Sequence, residues 1–374
     1  VNICVPKERR PEENRIGLTP SGLTTLVDAG HSVYVETKAG TGCGFTDSDY
    51  ESVGARIAHS PEEIYQRADL VLKIAPLLDD EVGFLREGQV VFAVHHLVVA
   101  SRRLISALLK AGVVTVSAEF ITDRDGTLPV VKPTSEIAGR MAPQIAARYL
   151  EAPEGGRGIL LSGLPGVPPA EVVIIGGGVV GRSAAWAFLG AGAHVSILEA
   201  SAAALDRLDE MFRGRASTML STPLTIKKAA SYADVIVACI LKKYEEVVPF
   251  VVTREIVRGM KPRSVILDIS IDMGGCVETS RPTSITDPVF VEEGITHYCV
   301  PNMPSAVARS AAHAWTNVVL GFIADIAAHG VDSALTSNPV LATGVTTYGG
   351  QVVKEGLANS LNLAYKPLKD MLGK

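Results

Sequence analysis

The stretch EVVIIGGGVVGRSAA (171–185) places Gly176, Gly178 and Gly181 in G-x-G-x-x-G spacing, directly after five strand-like residues and at the opening of a helical pattern. The spacing alone is a weak signal, because plain glycine-rich turns also produce it. The context narrows it: the next apolar run, HVSILE, ends in an acid, Glu199. A strand, a glycine turn, a helix and a second strand ending in an acid form a dinucleotide-binding unit. Gly176 is expected to make the tight turn. Gly178 lets backbone N–H groups approach a pyrophosphate, whose charge the helix N-terminus stabilises. Gly181 lets helix and strand pack closely. Glu199 is expected to accept hydrogen bonds from the adenosine ribose. Its carboxylate repels a 2′-phosphate, and no Arg or Lys follows until Arg207, so NAD is expected over NADP. Ser201 is the residue that argues the other way.

The rest of the chain fits around that turn. The runs VNICVP, HSVYVET, ADLVLKIA, QVVFAVHH and VVTVSAEF read as strands, with helix patterns PSGLTTLVDAG and RRLISALLKAG among them. This alternation implies a mainly parallel sheet with both faces covered. SEIAGRMAPQIAARYLE reads as a long helix. EGGRGILLSGLPGVPPAE then breaks the chain before a second series, EVVIIG, HVSILE, ADVIVACI, SVILDISI and GITHYCV. The apolar helix at 306–330 needs a partner for its face and is expected to pack back on the first domain. A length of 374 residues suits two domains. The expected division is 1–130 with 305–374, and 131–304.

Composition excludes several classes. A net charge of -5 argues against nucleic acid and basic membrane-surface partners. The apolar stretches look too short to span a bilayer without polar interruption. VNICVP carries no secretory-signal pattern, and a cytoplasmic protein is expected because its scattered cysteines fit reduced thiols. The five cysteines (Cys4, Cys43, Cys239, Cys276, Cys299) show no metal spacing, which suits reduced thiols and no metal. One polar oddity remains. QVVFAVHHLVVA (89–100) sets His95 and His96 at the end of an apolar strand, facing opposite ways. Either both are packed there, or one is an acid/base group near neutral pH.

Several longer stretches then point to a family: VPKERR…NRIGLTP, SEIAGRM, GGRGILLSGLPGVPPAEVVIIGGGVVG, DISIDMGGCVETSRPT and YCVPNMPSAVARS. Over nearly all its length the chain resembles the alanine dehydrogenase family, which includes the nucleotide-binding subunit of proton-pumping transhydrogenase. The resemblance implies an α/β fold of two Rossmann-like doubly wound domains, with the active site in the cleft between them. It implies a substrate domain built from both termini, an NAD domain from the middle, and a homo-hexamer. The reaction it implies is reversible oxidative deamination of an amino acid to a 2-oxo acid and ammonia. On the matching positions, Arg15 binds the substrate carboxylate, a task suited to its planar fork. Lys73 and Ser135 also fall on the substrate side. His96 is the acid/base group, and Asp272 orients water. Asn302 lies beside nicotinamide and substrate. Around the cofactor the resemblance sets Gly176, Gly178, Val179, Val180, Gly181, Glu199, Ala200, Cys239, Ile240, Leu241, Ile271, Asp272, Asn302 and Met303.

The departures fall in the substrate pocket. The family carries a second lysine two positions after Lys73, where this chain has Ala75. VVKPTSE brings Lys132 and Thr134 to positions that are usually small or apolar, so Lys132 is either a replacement cation or a solvated loop lysine. His95 stands at a usually apolar position. CILKKYEEVVPF makes the loop near the nicotinamide more charged, with Lys242, Lys243, Tyr244, Glu245 and Glu246. The expectation is an NAD-dependent amino acid dehydrogenase whose altered pocket leaves the amino acid open. The alternatives are an imine-reducing enzyme that makes amines from another substrate, and a non-catalytic transhydrogenase-like nucleotide-binding protein.

Overall fold

The computed structural model describes residues 1–240 and 249–372. The chain divides into two compact units, Val1–Thr134 with Ser305–Lys374, and Ser135–Pro304. The first unit opens with β1 (Asn2–Val5), β2 (Ser32–Glu36), β3 (Arg56–Ala58), β4 (Leu70–Leu72), β5 (Val90–Ala93) and β6 (Val114–Ser117). The second holds β7 (Glu171–Ile175), β8 (His194–Glu199), β9 (Ser217–Leu220), β10 (Val235–Ala238), β11 (Val265–Asp268), β12 (Val289–Glu292) and β13 (Ile295–Tyr298). The returning chain adds β14 (Val345–Tyr348) and β15 (Gln351–Val352) to the first sheet.

The first sheet runs β15-β14-β6-β5-β4-β1-β2-β3, and the second β12-β13-β11-β10-β7-β8-β9. Apart from the antiparallel strands β14, β15 and β12, each sheet is parallel with its six strands in the doubly wound order 3-2-1-4-5-6. The central strands explain themselves. Helices cover a parallel sheet on both faces, so β5, β10 and β11 are buried at every residue; β5 and β10 read as unbroken apolar runs, and β11 is apolar up to its last residue, Asp268.

This order fixes where chemistry can occur. Ligands of open α/β sheets bind beyond the carboxyl ends of the strands, where the strand order reverses. In the first unit the reversal lies between β1 and β4, whose ends lead into residues 6–19 and 73–75. In the second it lies between β7 and β10, beside the glycine turn.

Two helices anchor these ends. Helix Ala308–His329 follows a 3-10 turn, Met303–Val307, so it starts later and stops one residue earlier than the expected 306–330. Its apolar face, including Ala312, Trp315, Val319 and Ile323, enters the first unit's core. Trp315 meets Phe92 edge to face at 6.2 Å and donates from Nε1 to the Gly17 carbonyl at 3.0 Å. Contrary to the expectation from sequence, Met303–His329 is long and apolar enough to cross a membrane by length and composition. Just under half of its apolar window is buried, and those residues pack into this core. Helix Lys132–Leu150 begins three residues before SEIAGRM. At Gly139 a Cβ would lie 2.4 Å from the Val180 carbonyl oxygen, so glycine permits its close packing on helix Val179–Gly190.

Candidate functional site

In the first unit, residues 13–19 are held from several sides. A Cβ on Gly42 would meet the Asn14 carbonyl oxygen at 2.4 Å, and one on Gly17 would meet the Leu72 carbonyl oxygen at 2.4 Å. The Asn14 amide donates to Ser305 Oγ at 2.9 Å, and the Tyr50 hydroxyl donates to the Leu18 carbonyl at 3.1 Å. Arg15 therefore sits on a fixed backbone and is only 8% exposed. Its Nε and Nη2 donate to Glu13 at 2.7 and 2.6 Å. A guanidinium has five N–H donors. The Glu13 pair occupies one edge and aims the fork, while among the described residues the Nη1 edge is not engaged. A cavity of about 190 Å³ opens here, lined by Arg15, Glu13, Glu8, Lys7 and Lys38 among others.

Beyond β5 the chain turns sharply. His96 has φ +49° and ψ +38°, a left-handed conformation that is unfavourable for a side-chain-bearing residue. His95 is 2% exposed, and its Nε2 lies 3.2 Å from the Val91 carbonyl oxygen. It is thus a packed histidine. His96 is partly buried and feels the charges of Arg10 and Arg15. Burial first, then those two cations, lowers its pKa to about 4, so its imidazole is neutral at physiological pH. Glu119, in the 3-10 turn after β6, accepts the His95 amide at 3.1 Å and the His96 amide at 2.6 Å. Burial raises its carboxyl to about 7. Sequence reading missed Glu119, although an acid at the end of the apolar run VVTVSAEF was a signal for it.

Lys73 lies among buried carboxylates. It was expected on the substrate side; it is 1% exposed, with its ammonium 2.9 Å from both Glu8 Oε2 and Glu81 Oε1. Burial opposes its charge, yet the two carboxylates outweigh burial and raise its pKa. An ammonium that gives two of its three donors to buried carboxylates holds the end of β4 in place. Glu8 Oε1 also accepts the Ile74 and Ala75 amides at 2.7 and 3.3 Å. Ala75 is buried beside it at 2% exposure. Lys132 is exposed at the first turn of its helix, close enough to Asp125 to help lower that carboxyl's pKa.

In the second unit the glycine turn has the shape its spacing foretold. Gly176 has φ +109°, and a Cβ there would lie 2.7 Å from the Cys239 carbonyl oxygen. A Cβ on Gly181 would lie 1.9 Å from the Gly176 carbonyl oxygen, which enforces glycine at the helix–strand contact. Gly178 caps helix Val179–Gly190, and among the described residues a Cβ there would meet nothing within 4 Å, so they leave this helix N-terminus open. Val179 and Val180, in its first turn, are half-buried. Glu199, at the end of β8, accepts the Gly177 amide at 2.7 Å and the Ser201 amide at 2.9 Å. Each oxygen keeps a second lone pair for a ribose hydroxyl. Ala200 is exposed beside it. The Cys239 thiol donates to the Ile175 and Gly176 carbonyls at 3.3 Å, and burial pushes its pKa well above the usual value, so it is structural. The half-buried Ile240 follows, while Leu241 and the charged residues 242–246 lie outside the described residues.

The turn after β11 is built on Asp268, another residue missed from sequence. It is 1% exposed and accepts the Ser270, Cys276 and Val277 amides, each at 3.2 Å. This turn presents the exposed Asp272, whose Oδ2 accepts the Asn302 amide at 3.3 Å. Asn302 is left-handed, with φ +56°. The structure thus brings Asp272 and Asn302 together, with Ile271 and Met303 buried at 5% and 3% exposure next to them in the chain. Ser135 is half-buried near the start of its helix. Among the described residues no group of three or more His, Cys, Asp or Glu could hold a metal ion. The glycine cradle, the open helix N-terminus and the pinned acid fit a dinucleotide.

Fold and site define a dinucleotide-dependent α/β protein with an arginine and a neutral histidine in its other doubly wound unit. Residues 4–138 match the family model "Alanine dehydrogenase/PNT, N-terminal domain", and residues 142–355 match "Alanine dehydrogenase/PNT, C-terminal domain". The chain is 41% identical over 373 residues to an alanine dehydrogenase of Halomonas elongata, covering 100% of both chains. It also resembles a solved L-alanine dehydrogenase, with a TM-score of 0.92 and 38% identity over 97% of this chain and 99% of that one. A transhydrogenase from Sinorhizobium meliloti shares the fold, with a TM-score of 0.81 and 24% identity over 95% of this chain and 99% of that one. The chain belongs to the alanine dehydrogenase/PNT family. Family and fold make it an oxidoreductase that uses a nicotinamide cofactor and acts on a small-molecule substrate.

Proposed function

We propose that the protein is an NAD-dependent L-amino acid dehydrogenase, interconverting an amino acid with its 2-oxo acid and ammonia. Residues 1–130 and 305–374 hold the substrate in this reading, and 131–304 the cofactor. The observation that carries it is a guanidinium, Arg15, with its charge felt by a neutral imidazole, His96, in the unit without the glycine turn. The Nη1 edge of Arg15 binds the substrate carboxylate. NAD bound at the glycine turn would supply the acceptor for the hydride of the substrate Cα. Water then adds to the resulting imine carbon. His96 takes a proton from that water at an imidazole nitrogen, returns it to the departing nitrogen, and takes the remaining hydroxyl proton as the C–N bond breaks and the carbonyl forms. Asp272 orients the water, and Asn302 holds Asp272 through its amide.

Glu199 supports NAD over NADP, because a carboxylate pinned by two amides cannot swing away from a 2′-phosphate. Comparing kcat/KM for the two cofactors tests this, and equal use would overturn it. Ala75 supports a substrate other than alanine, since the cation the family carries there is absent. L-alanine and pyruvate are then poor substrates, whether Lys132 compensates or the substrate brings its own positive group. A severe loss in Lys132→Ala identifies the first case, and a mild loss the second. The test of the function is NADH oxidation with a panel of 2-oxo acids plus ammonia or amines. Turnover with ammonia supports it, turnover only with other amines selects the imine-reducing alternative, and none at all selects the binding-only one. The assembly proposed is a cytoplasmic homo-hexamer, supported by exposed apolar residues Leu160, Leu164 and Val167. A single 39.4 kDa species by light scattering overturns it.

A further inference from the structure

The turn that carries His96 is held by a group with no role in the reaction as proposed. Successive backbone N–H groups around a left-handed residue form a concave nest that attracts anions. Here the nest consists of the His95 and His96 amides, and its occupant is internal: one oxygen of Glu119 on each amide. Glu119 is 1% exposed, and among the described residues no ion pair is drawn to it. Among the described residues its bonds are to backbone amides, those of the two histidines and its own. A strained residue persists where its surroundings over-determine it. Around His96 Glu119 supplies such a constraint, at the entry to a 3-10 turn, Leu97–Val99, that has no side-chain cap.

We propose that Glu119 is the positioning residue for His96: its carboxylate clamps the His95 and His96 amides, holds His96 left-handed, and so aims its imidazole at the reacting centre. Glu119 touches neither substrate nor cofactor and acts only through the backbone of the histidine turn. The proposal rests on the reading of His96 as the acid/base group. A clamp of this kind governs the chemical step more than binding, since a misplacement of about 1 Å at a reacting group costs on the order of a hundredfold in rate.

The test uses the full chain with Glu119→Gln, which keeps the size and one acceptor but turns an NH₂ towards the second amide. Two readouts are taken. In the first, kcat falls about tenfold or more while KM and NADH affinity stay within twofold. In the second, the ring signals of His96 in ¹⁵N-edited NMR shift from their wild-type positions, while those of buried His297 do not. Unmoved His96 signals overturn the proposal, as does an unchanged kcat in an active enzyme. Glu119→Asp, which keeps the charge but shortens the reach, should show the same displacement, and wild-type His96 signals in it would also overturn the clamp. Should the wild-type protein turn over no substrate, the dehydrogenase reading fails by itself. The NMR readout then still decides whether Glu119 sets the ring.

Discussion

His96 combines three properties that rarely meet by accident: a left-handed backbone, a neutral ring, and Arg15 near enough to help keep it neutral. His96→Ala is expected to lower turnover by about 10²–10⁴-fold, the usual range for a general acid–base group. NADH affinity should not change, because the glycine turn lies in the other unit. Fluorescence titration of NADH beside steady-state rates checks both halves, and near wild-type turnover would remove His96 from the mechanism. Arg15 and His96 were legible in the sequence as candidates, Arg15 through the family resemblance and His96 through that resemblance and its place at the end of an apolar strand. Their supports were not. Glu13, Glu119 and Asp268 act through one guanidinium and several backbone amides, and which amides meet a carboxylate is decided only by the turn geometry. The partners of Lys73 were equally hidden. A lysine in its matching place says nothing of Glu8 and Glu81, distant in sequence, which occupy its ammonium.

Elements were legible to the extent that they are buried on both faces. The ten strands read from sequence include every central strand of both sheets, where covered faces demand Val, Ile and Leu throughout. The five that escaped are β3, β9, β12, β14 and β15, all edge strands or additions to an edge. Strand β9, STML, is nowhere fully buried, so it has no apolar run to announce it. Close contacts between elements were half legible: Gly181 was assigned its packing role, but Gly139 was not. Gly139→Ala tests that contact. Its Cβ would lie 2.4 Å from the Val180 carbonyl oxygen and 2.8 Å from the Ala184 nitrogen, both in the backbone of the turn helix. Overpacking of this kind costs about 1–3 kcal/mol, and it moves the helix N-terminus offered to the pyrophosphate. The expected outcome is a lower melting temperature and weaker NADH binding together. Unchanged values for both would show that the helices separate without cost.

At the scale of the whole molecule the histidine turn couples stability to pH. Burial lowers His95 and His96 from 6.5 to about 4. The unfolded chain therefore takes up their protons first, and stability is lost as pH falls from 6.5 towards 4. Burial raises Glu119 from 4.5 to about 7. The folded chain holds that proton longer, so the contribution of Glu119 is present at low pH and is lost as pH rises from 4.5 towards 7. Between about pH 5 and 6 the two effects oppose each other: unfolding takes up about two protons at the histidines and releases about one at Glu119. By linkage each net proton corresponds to about 1.4 kcal/mol per pH unit. The turn alone thus gives wild type a slope of roughly 1.4 kcal/mol per unit, rising with pH. Glu119→Gln removes the opposing term, since an amide does not titrate, and should roughly double that slope while the two histidines remain. Urea unfolding at several pH values in this window measures both slopes. Equal slopes would mean that the Glu119 carboxyl titrates in the folded protein as it does in the unfolded chain, which a group buried at 1% exposure and bonded only to backbone amides should not do.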